Sequence, residues 1–399
     1  MAETSTYVIP LPERIDSGNA MEVEQKLNDE VSAHPGEVPV FDAGNLNYIS
    51  SAGLRVFMKL RKRLQGPFTV TEVAPEVYDI FETTGFTELL SVKKRLRRIS
   101  VEGCEIIGRG FYGTVYRLDP DTIVKTYSLE ASEAIPMIEN EKKMAKKAFL
   151  KGIPTAISFD IVKVDGTGSE GDTYGSVFEL LKAKSFNNRM EEAASDGEKE
   201  GIVKEYVELV KQVHDTLMDP GTLPSARDRL LERVKGLTEV FDPEQIEKIT
   251  GMLNALPEDL HVVHGDFHMK NVMLSEGEPM LIDMDTLATG QPIFDLQGLF
   301  ITYQAFEEDD ENNSMDFLGL SNDTVDLMWR KIIEYYFDDV GAEARKKIEE
   351  KIRLLGYVSF LYFVVSTPDL KKGELGEKRI RHSVEHIEKL LETVTDLTI

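Results

Sequence analysis

Short apolar runs and helically spaced apolar positions take turns along the first hundred residues. Residues 6–10 and 38–42 have strand character, and residues 68–73 alternate apolar with polar side chains. Between them the spacing lengthens. Met21, Val23, Leu27 and Val31 keep an approximate helical rhythm after Ser17, and Leu54, Phe57, Met58 and Leu64 fall on one helical face after Gly53. Pro75 opens a further helix that stops near Gly85. Strands alternating with helices over so short a stretch predict a small α/β layer domain spanning residues 1–98.

The pattern then changes. Residues 115–118 and 123–127 are apolar-rich runs separated by the turn Asp119-Pro120-Asp121, which predicts a hairpin. A helical stretch covers residues 133–150, and two more strands are expected at 157–164 and 173–181, joined by a glycine-rich turn. From residue 183 onward helical spacing dominates, at 203–217, 225–241, 325–336 and 342–363, with an acidic turn-rich segment at 191–201. One short strand interrupts it, Met280-Leu281-Ile282. The expected fold is thus an α/β domain followed by a two-lobed α+β domain, with lobes at residues 99–182 and 183–399.

Candidate chemistry falls on the second domain. Gly108, Gly110 and Gly113 have the G-x-G-x-x-G spacing and are followed by Val115. That spacing also occurs in dinucleotide-binding turns, but those open a helix, whereas here a hairpin follows. Glycines on a hairpin let backbone amides lie over phosphates, with Lys125 on the next strand to neutralise their charge. Such a lysine needs an acidic partner. Glu139 and Glu141 are separated by roughly 200° around their helix. Glu141 shares the apolar stripe with Ile138 and Ala145, and it is the expected partner.

The stretch 264–285, HGDFHMKNVMLSEGEPMLIDMD, carries the rest. Asp266, Asn271 and Asp283 have the order and spacing of a catalytic carboxylate, a metal-binding amide and a metal-binding carboxylate. His264 and His268 lack further ligands at zinc spacing and are expected to orient the loop. Asp285 either assists the metal or caps the following turn. The acidic run at 307–313 reads as a solvated loop, the alternative being a lure for a cationic acceptor.

Two resemblances add to this reading. The strand ending in Phe41-Asp42, the motif ISSAGL at 49–54 and the later PEV…TTGF resemble a STAS domain of the anti-sigma factor antagonist type. The likeness implies a phosphoacceptor at Ser51 and an anti-sigma-type partner protein; capping of the helix by Ser50 or Ser51 is the compatible plainer role. HGDxHxxN, the IDxD strand end and Phe294-Asp295-Leu296 resemble the aminoglycoside phosphotransferase and choline kinase branch of the protein-kinase-like fold. That likeness implies ATP and Mg2+ as cofactors, an adenine-binding connector at Glu179 to Leu181, and Asp295 as a buttress of the catalytic loop. Gly265 stands where protein kinases carry an arginine, and eleven residues separate Asp283 from Asp295, leaving no room for a long activation loop. The implied acceptor is a small hydroxylated substrate or an atypical protein substrate. A signalling switch that binds a partner protein, controlled at Ser51 or by nucleotide, is the alternative function.

Composition narrows the partners. A formal charge of −25 disfavours nucleic acid, and the basic run at 93–98 reads as a solvated linker. Cys104 is the only cysteine, which excludes an internal disulfide and fits a reducing, cytoplasmic setting. The N-terminal residues lack a secretory pattern, and the apolar stretch 354–365 is shorter than the ~20 residues a bilayer-spanning helix needs. No membrane association is expected.

Overall fold

The computed structural model describes residues 6–110, 113–168 and 171–399. Phe111 and Tyr112 of the glycine-rich turn, Ser169 and Glu170 of the later turn, and residues 1–5 lie outside the described residues. The chain divides into two compact units, one formed by residues 1–101 with 161–172, the other by 102–160 with 173–399.

The first unit contains a four-stranded parallel sheet in the order Thr6–Pro10, Val38–Asp42, Thr69–Val73, Ser91–Lys94. Parallel neighbours require crossovers, and the helices Ala20–Ala33, Ser51–Arg63 and Pro75–Thr83 supply them. The core is apolar and aromatic: Phe41, Phe57, Phe68 and Phe81 pack edge-on or stacked with centroids 4.7–6.4 Å apart. Gly53 is required there, because a Cβ would meet Ile49 Cγ1 at 2.7 Å and the Ile15 carbonyl oxygen at 2.8 Å.

Two expectations are corrected in this unit. The first helix begins at Ala20, not Ser17, because the Asp16 carboxylate accepts the Gly18 N–H at 2.8 Å and holds a turn. The basic run is strand rather than linker, although most of its side chains are exposed as expected. Ser91–Lys94 is an edge strand, and Arg97–Ser100 pairs in parallel with residues 162–165. Arg98 bonds Asp165 and reaches Asp172 at 2.9 Å, and Arg95 donates to the Gly44 carbonyl.

The second unit opens with the antiparallel strands Glu105–Arg109, Thr114–Arg117, Thr122–Tyr127 and Gly171–Glu179, the third of these lying between the second and fourth. The helix Ala131–Leu150 follows the third strand. Helices then predominate, and Ala342–Ser366 runs through the core with residues 354–358 fully buried. No described helix is long and apolar enough to cross a membrane.

The segment expected to be turn-rich at 191–201 is mostly helix, Asp196–His214. Ser195 caps it by accepting the Glu198 N–H at 3.3 Å, and Asp196 and Glu198 suit its positive end, so the acidity marks a helix start. The helix expected at 225–241 ends at Lys235. The acidic run at 307–313 is not a solvated loop. Glu308 accepts from Tyr357 Oη at 2.7 Å, Asp309 Oδ1 lies 2.7 Å from His382 Nδ1, and Asp310 lies 3.6 Å from Arg379. His382 and Arg379 belong to the last helix, Gly373–Leu391, whose basic face neutralises the run.

Candidate active site

Strand register places the first group. Lys125 lies across from Val115 on one side and Ser176 on the other, and its side chain points toward the helix Ala131–Leu150. Glu141 on that helix is 6% exposed, and its two oxygens lie 3.4 and 3.5 Å from Lys125 Nζ. Lys125 also pairs with the Asp283 carboxylate, 158 residues further along the chain. Burial alone would lower the lysine pKa, but Glu141 and Asp283 outweigh it and hold the ammonium well above the usual lysine range. Burial raises the Glu141 pKa, against the pull of Lys125.

The hairpin Val272–Ser275 with Glu278–Leu281 brings the second group together. Val272 pairs with Leu281, and the Ile282 N–H donates to the Asn271 carbonyl at 3.0 Å. Asn271 and Asp283 therefore flank the same end of one hairpin. Asp283 adopts φ 58°, a left-handed conformation rare outside glycine that turns the chain sharply after the strand. Asn271 Nδ2 donates to the Asp266 carbonyl oxygen at 2.9 Å and to its carboxylate at 3.0 Å, which leaves Asn271 Oδ1 as the oxygen it can offer a cation.

The loop 264–271 is held from beneath. Asp295, 1% exposed, accepts the His264 N–H at 2.8 Å and the Gly265 N–H at 2.5 Å. His264 Nε2 bonds the Ile282 carbonyl at 3.1 Å, and its Nδ1 accepts the Asp266 N–H at 3.3 Å. Gly265 has φ 84°, and a Cβ there would meet the Thr286 carbonyl oxygen at 2.8 Å. His268 Nε2 lies 3.4 Å from the Asp266 carboxylate, whose side chain is 48% exposed. Burial opposes ionisation of Asp266, but His268, His264 and Asn271 overcome it and hold the carboxyl below its usual range.

The glycine-rich turn is closed by the Gly110 N–H donating to the Gly113 carbonyl at 2.9 Å. A Cβ on Gly113 would overlap the Thr126 carbonyl oxygen at 1.6 Å, so the close approach of two strands requires glycine there. Gly108 and Val115 face each other across the same hairpin. In the connector, the Leu180 N–H is taken by the Asp121 carbonyl at 2.7 Å; Glu179 is exposed and Leu181 half-buried. Leu181, Ala183 and Leu274 line an open depression edged by Lys182, Lys184 and Arg189. Ser51, in the first unit, is exposed at the start of its helix.

Several contributors escape the sequence reading. His214 Nε2 bonds Asp295 at 2.9 Å, and Tyr336 Oη lies 2.7 Å from its Nδ1. Its signal is a histidine four residues after Val210 and seven after Val207, on the buried face of its helix. Tyr206 donates to the Phe267 carbonyl, and Tyr303 Oη accepts the Met269 N–H at 3.0 Å. Arg229 donates to the Thr286 carbonyl at 2.6 Å. These belong to separate elements, and their convergence has no mark in the local sequence.

A glycine-rich hairpin, a buried lysine–glutamate pair and a loop with two acids and an amide define a protein-kinase-like phosphotransferase fold. The sequence agrees: the phosphotransferase enzyme family matches residues 103–317, and the chain belongs to that family. A STAS domain matches residues 2–99. Over 81 residues the chain is 40% identical to BtrV of Bordetella bronchiseptica, provisionally described as an anti-sigma factor antagonist; the match covers 20% of this chain and 69% of that protein.

Among solved structures, similar ones include a thermostable mutant of aminoglycoside phosphotransferase APH(4)-Ia bound to ADP and hygromycin B, at 11% identity and TM-score 0.48, covering 73% of this chain and 96% of that one. ADP-bound APH(2'')-Ib is 14% identical with TM-score 0.47, covering 73% and 96%. A choline/ethanolamine kinase family protein from Mesorhizobium loti is 14% identical with TM-score 0.47, covering 72% and 91%. The family assignment rests on the sequence match rather than on these neighbours.

Proposed function

We propose that the protein is a Mg-ATP-dependent phosphotransferase acting on a hydroxyl acceptor, with regulation or signalling through its STAS domain. The observation that carries this reading is the convergence of Lys125, Glu141 and Asp283, with Asn271 at the same hairpin end. In this reading Lys125 neutralises the nucleotide phosphates, and Glu141 keeps it in place. Gly108, Gly110, Gly113 and Val115 cover the phosphates and base from above, and the backbone of Glu179 to Leu181 borders the adenine.

The oxygen donors suit a hard cation. Asn271 Oδ1 and the Asp283 carboxylate would hold Mg2+, which prefers oxygen ligands and keeps waters and substrate phosphates as the others. Among the described residues no group of three or more His, Cys, Asp and Glu side chains forms a metal cage. When bound, Mg2+ would neutralise charge on the transferring phosphoryl group. Asp266 orients the acceptor hydroxyl. Burial opposes its ionisation, but His268, His264 and Asn271 hold the carboxyl lowered from its usual value, so it stands ready as a hydrogen-bond acceptor for that hydroxyl.

The test is phosphate transfer from Mg-ATP across hydroxylated metabolites, aminoglycosides and STAS-type proteins. Asp266→Ala is expected to lower turnover at least ~100-fold while ADP binding persists. Unchanged turnover in that variant overturns the reading.

One observation favours a second reading, in which the kinase-like domain serves a binding switch. Ser50 Oγ accepts the Ala52 N–H at 3.2 Å and takes the capping role, which leaves Ser51 exposed beside it. A helix N-terminus accommodates the negative charge of a phosphoserine. Intact-mass measurement after incubation with Mg-ATP distinguishes the readings: a single phosphate absent from Ser51→Ala supports the switch, and no added mass counts against it.

A further inference from the structure

We propose that Tyr127 is a positioning residue for phosphoryl transfer, acting through Glu141: its hydroxyl holds one carboxylate oxygen and so keeps the carboxylate as a whole aimed at Lys125. The inference rests on the phosphotransferase reading above.

Lys125 and Tyr127 are two residues apart on one strand, so their side chains leave the same face of the sheet. Tyr127 is fully buried, and its Oη donates to Glu141 Oε2 at 2.5 Å. Its ring also lies beneath the ammonium of Lys125, 5.4 Å from Nζ to the centroid. One tyrosine therefore touches both members of the pair.

The geometry gives this contact a consequence beyond packing. Lys125 stands between two competing carboxylates, with Glu141 on one side and Asp283 on the other. A lysine serving phosphates must give up Asp283 and remain anchored by Glu141 alone. Glu141 is buried and faces Lys125 and Tyr127 directly, with Asp283 and Asp285 opposing its charge from the loop after the hairpin. Its own helix offers the apolar neighbours Ile138, Met144 and Ala145 on that side. With Lys125 drawn toward phosphate, the Tyr127 hydroxyl is the remaining neutral donor on Glu141. Its hydrogen bond fixes the carboxylate's rotamer.

Tyr127→Phe keeps the ring and removes the donor. Steady-state kinetics with Mg-ATP are compared for the full-length wild type, Tyr127→Phe, Glu141→Gln and the double variant, with thermal unfolding confirming that each is folded. The expected result is a roughly tenfold rise in KM for ATP in Tyr127→Phe with a smaller change in kcat, and no further rise when the change is added to Glu141→Gln. The proposal is overturned if Tyr127→Phe matches the wild type while Glu141→Gln is impaired, or if the two changes multiply independently. A wild type without Mg-ATP turnover on any acceptor would instead overturn the reading on which the proposal rests.

Discussion

The two units bury different chemistry. None of the buried polar or charged side chains among the described residues lies in the first unit; its interior is aliphatic and aromatic throughout. The second unit buries Glu141, His214, His264, Asn271 and Asp295, all at or beneath the candidate site. Each such group costs desolvation unless it is bonded. The first unit's candidate serine, Ser51, thus lies at the surface, whereas the second unit carries its candidate residues in a buried hydrogen-bonded network.

That contrast predicts different ways to break each unit. The largest effect is expected at Asp295. Alanine there leaves the His264 and Gly265 amides and the His214 ring without their acceptor, costing about 4 kcal/mol by chemical denaturation and abolishing turnover. A loss under ~1 kcal/mol would mean that water replaces the carboxylate and that the network is looser than its geometry.

Gly53→Ala sharpens the other side of the comparison. A methyl group forced against Ile49 and the Ile15 backbone is expected to cost about 2 kcal/mol through overpacking alone. Denaturation of the variant followed by circular dichroism measures it.

An intermediate effect is expected at the acidic run. Asp309→Ala removes the partner of His382 and Lys378 and should lower stability by about 1–2 kcal/mol in a denaturant titration. A solvated loop would show no change.

The smallest effect is at Glu307, whose pKa is raised by burial, with Ser314 opposing and Asp326 and Asp323 adding to it. Between the ordinary glutamate value and the raised one, the folded chain keeps a proton that the unfolded chain has released. Stability therefore falls as pH rises through that window. Glu307→Gln is expected to raise the melting temperature by about 1–2 °C at neutral pH and to have no stabilising effect below the ordinary glutamate value. Equal shifts at both pH values would contradict the assignment.

The fold was legible where chemistry is local. Alternating periods define the first unit, and the spacing of Gly108, Gly110 and Gly113 before Lys125 marks a hairpin rather than a strand-to-helix turn. Asp266, Asn271 and Asp283 share one short stretch because Asn271 and Asp283 flank one hairpin and Asp266 lies in the loop leading into it, bonded to Asn271. Glu141 could be separated from Glu139 because helical period sorts a buried face from a wet one. What escaped detection depends on elements distant in sequence. The aromatic and basic partners of the acidic run sit 49 or more residues downstream, and His214 meets Asp295 across 81 residues. A charge run looks solvated until the helix that neutralises it is in place. Tyr127 was legible in principle, two positions from Lys125 on one strand, but its bond to Glu141 required the packing of that helix.

In the proposed function Lys125, Glu141, Asn271 and Asp283 form one site for a metal-bound nucleotide. Calorimetric titration of the full-length protein with ADP, with and without Mg2+, addresses it directly, using Asp283→Ala as the comparison. The account predicts at least ~10-fold tighter ADP binding with Mg2+ in the wild type and no such enhancement in the variant. Absence of ADP binding in the wild type, or an enhancement that survives the substitution, would contradict it.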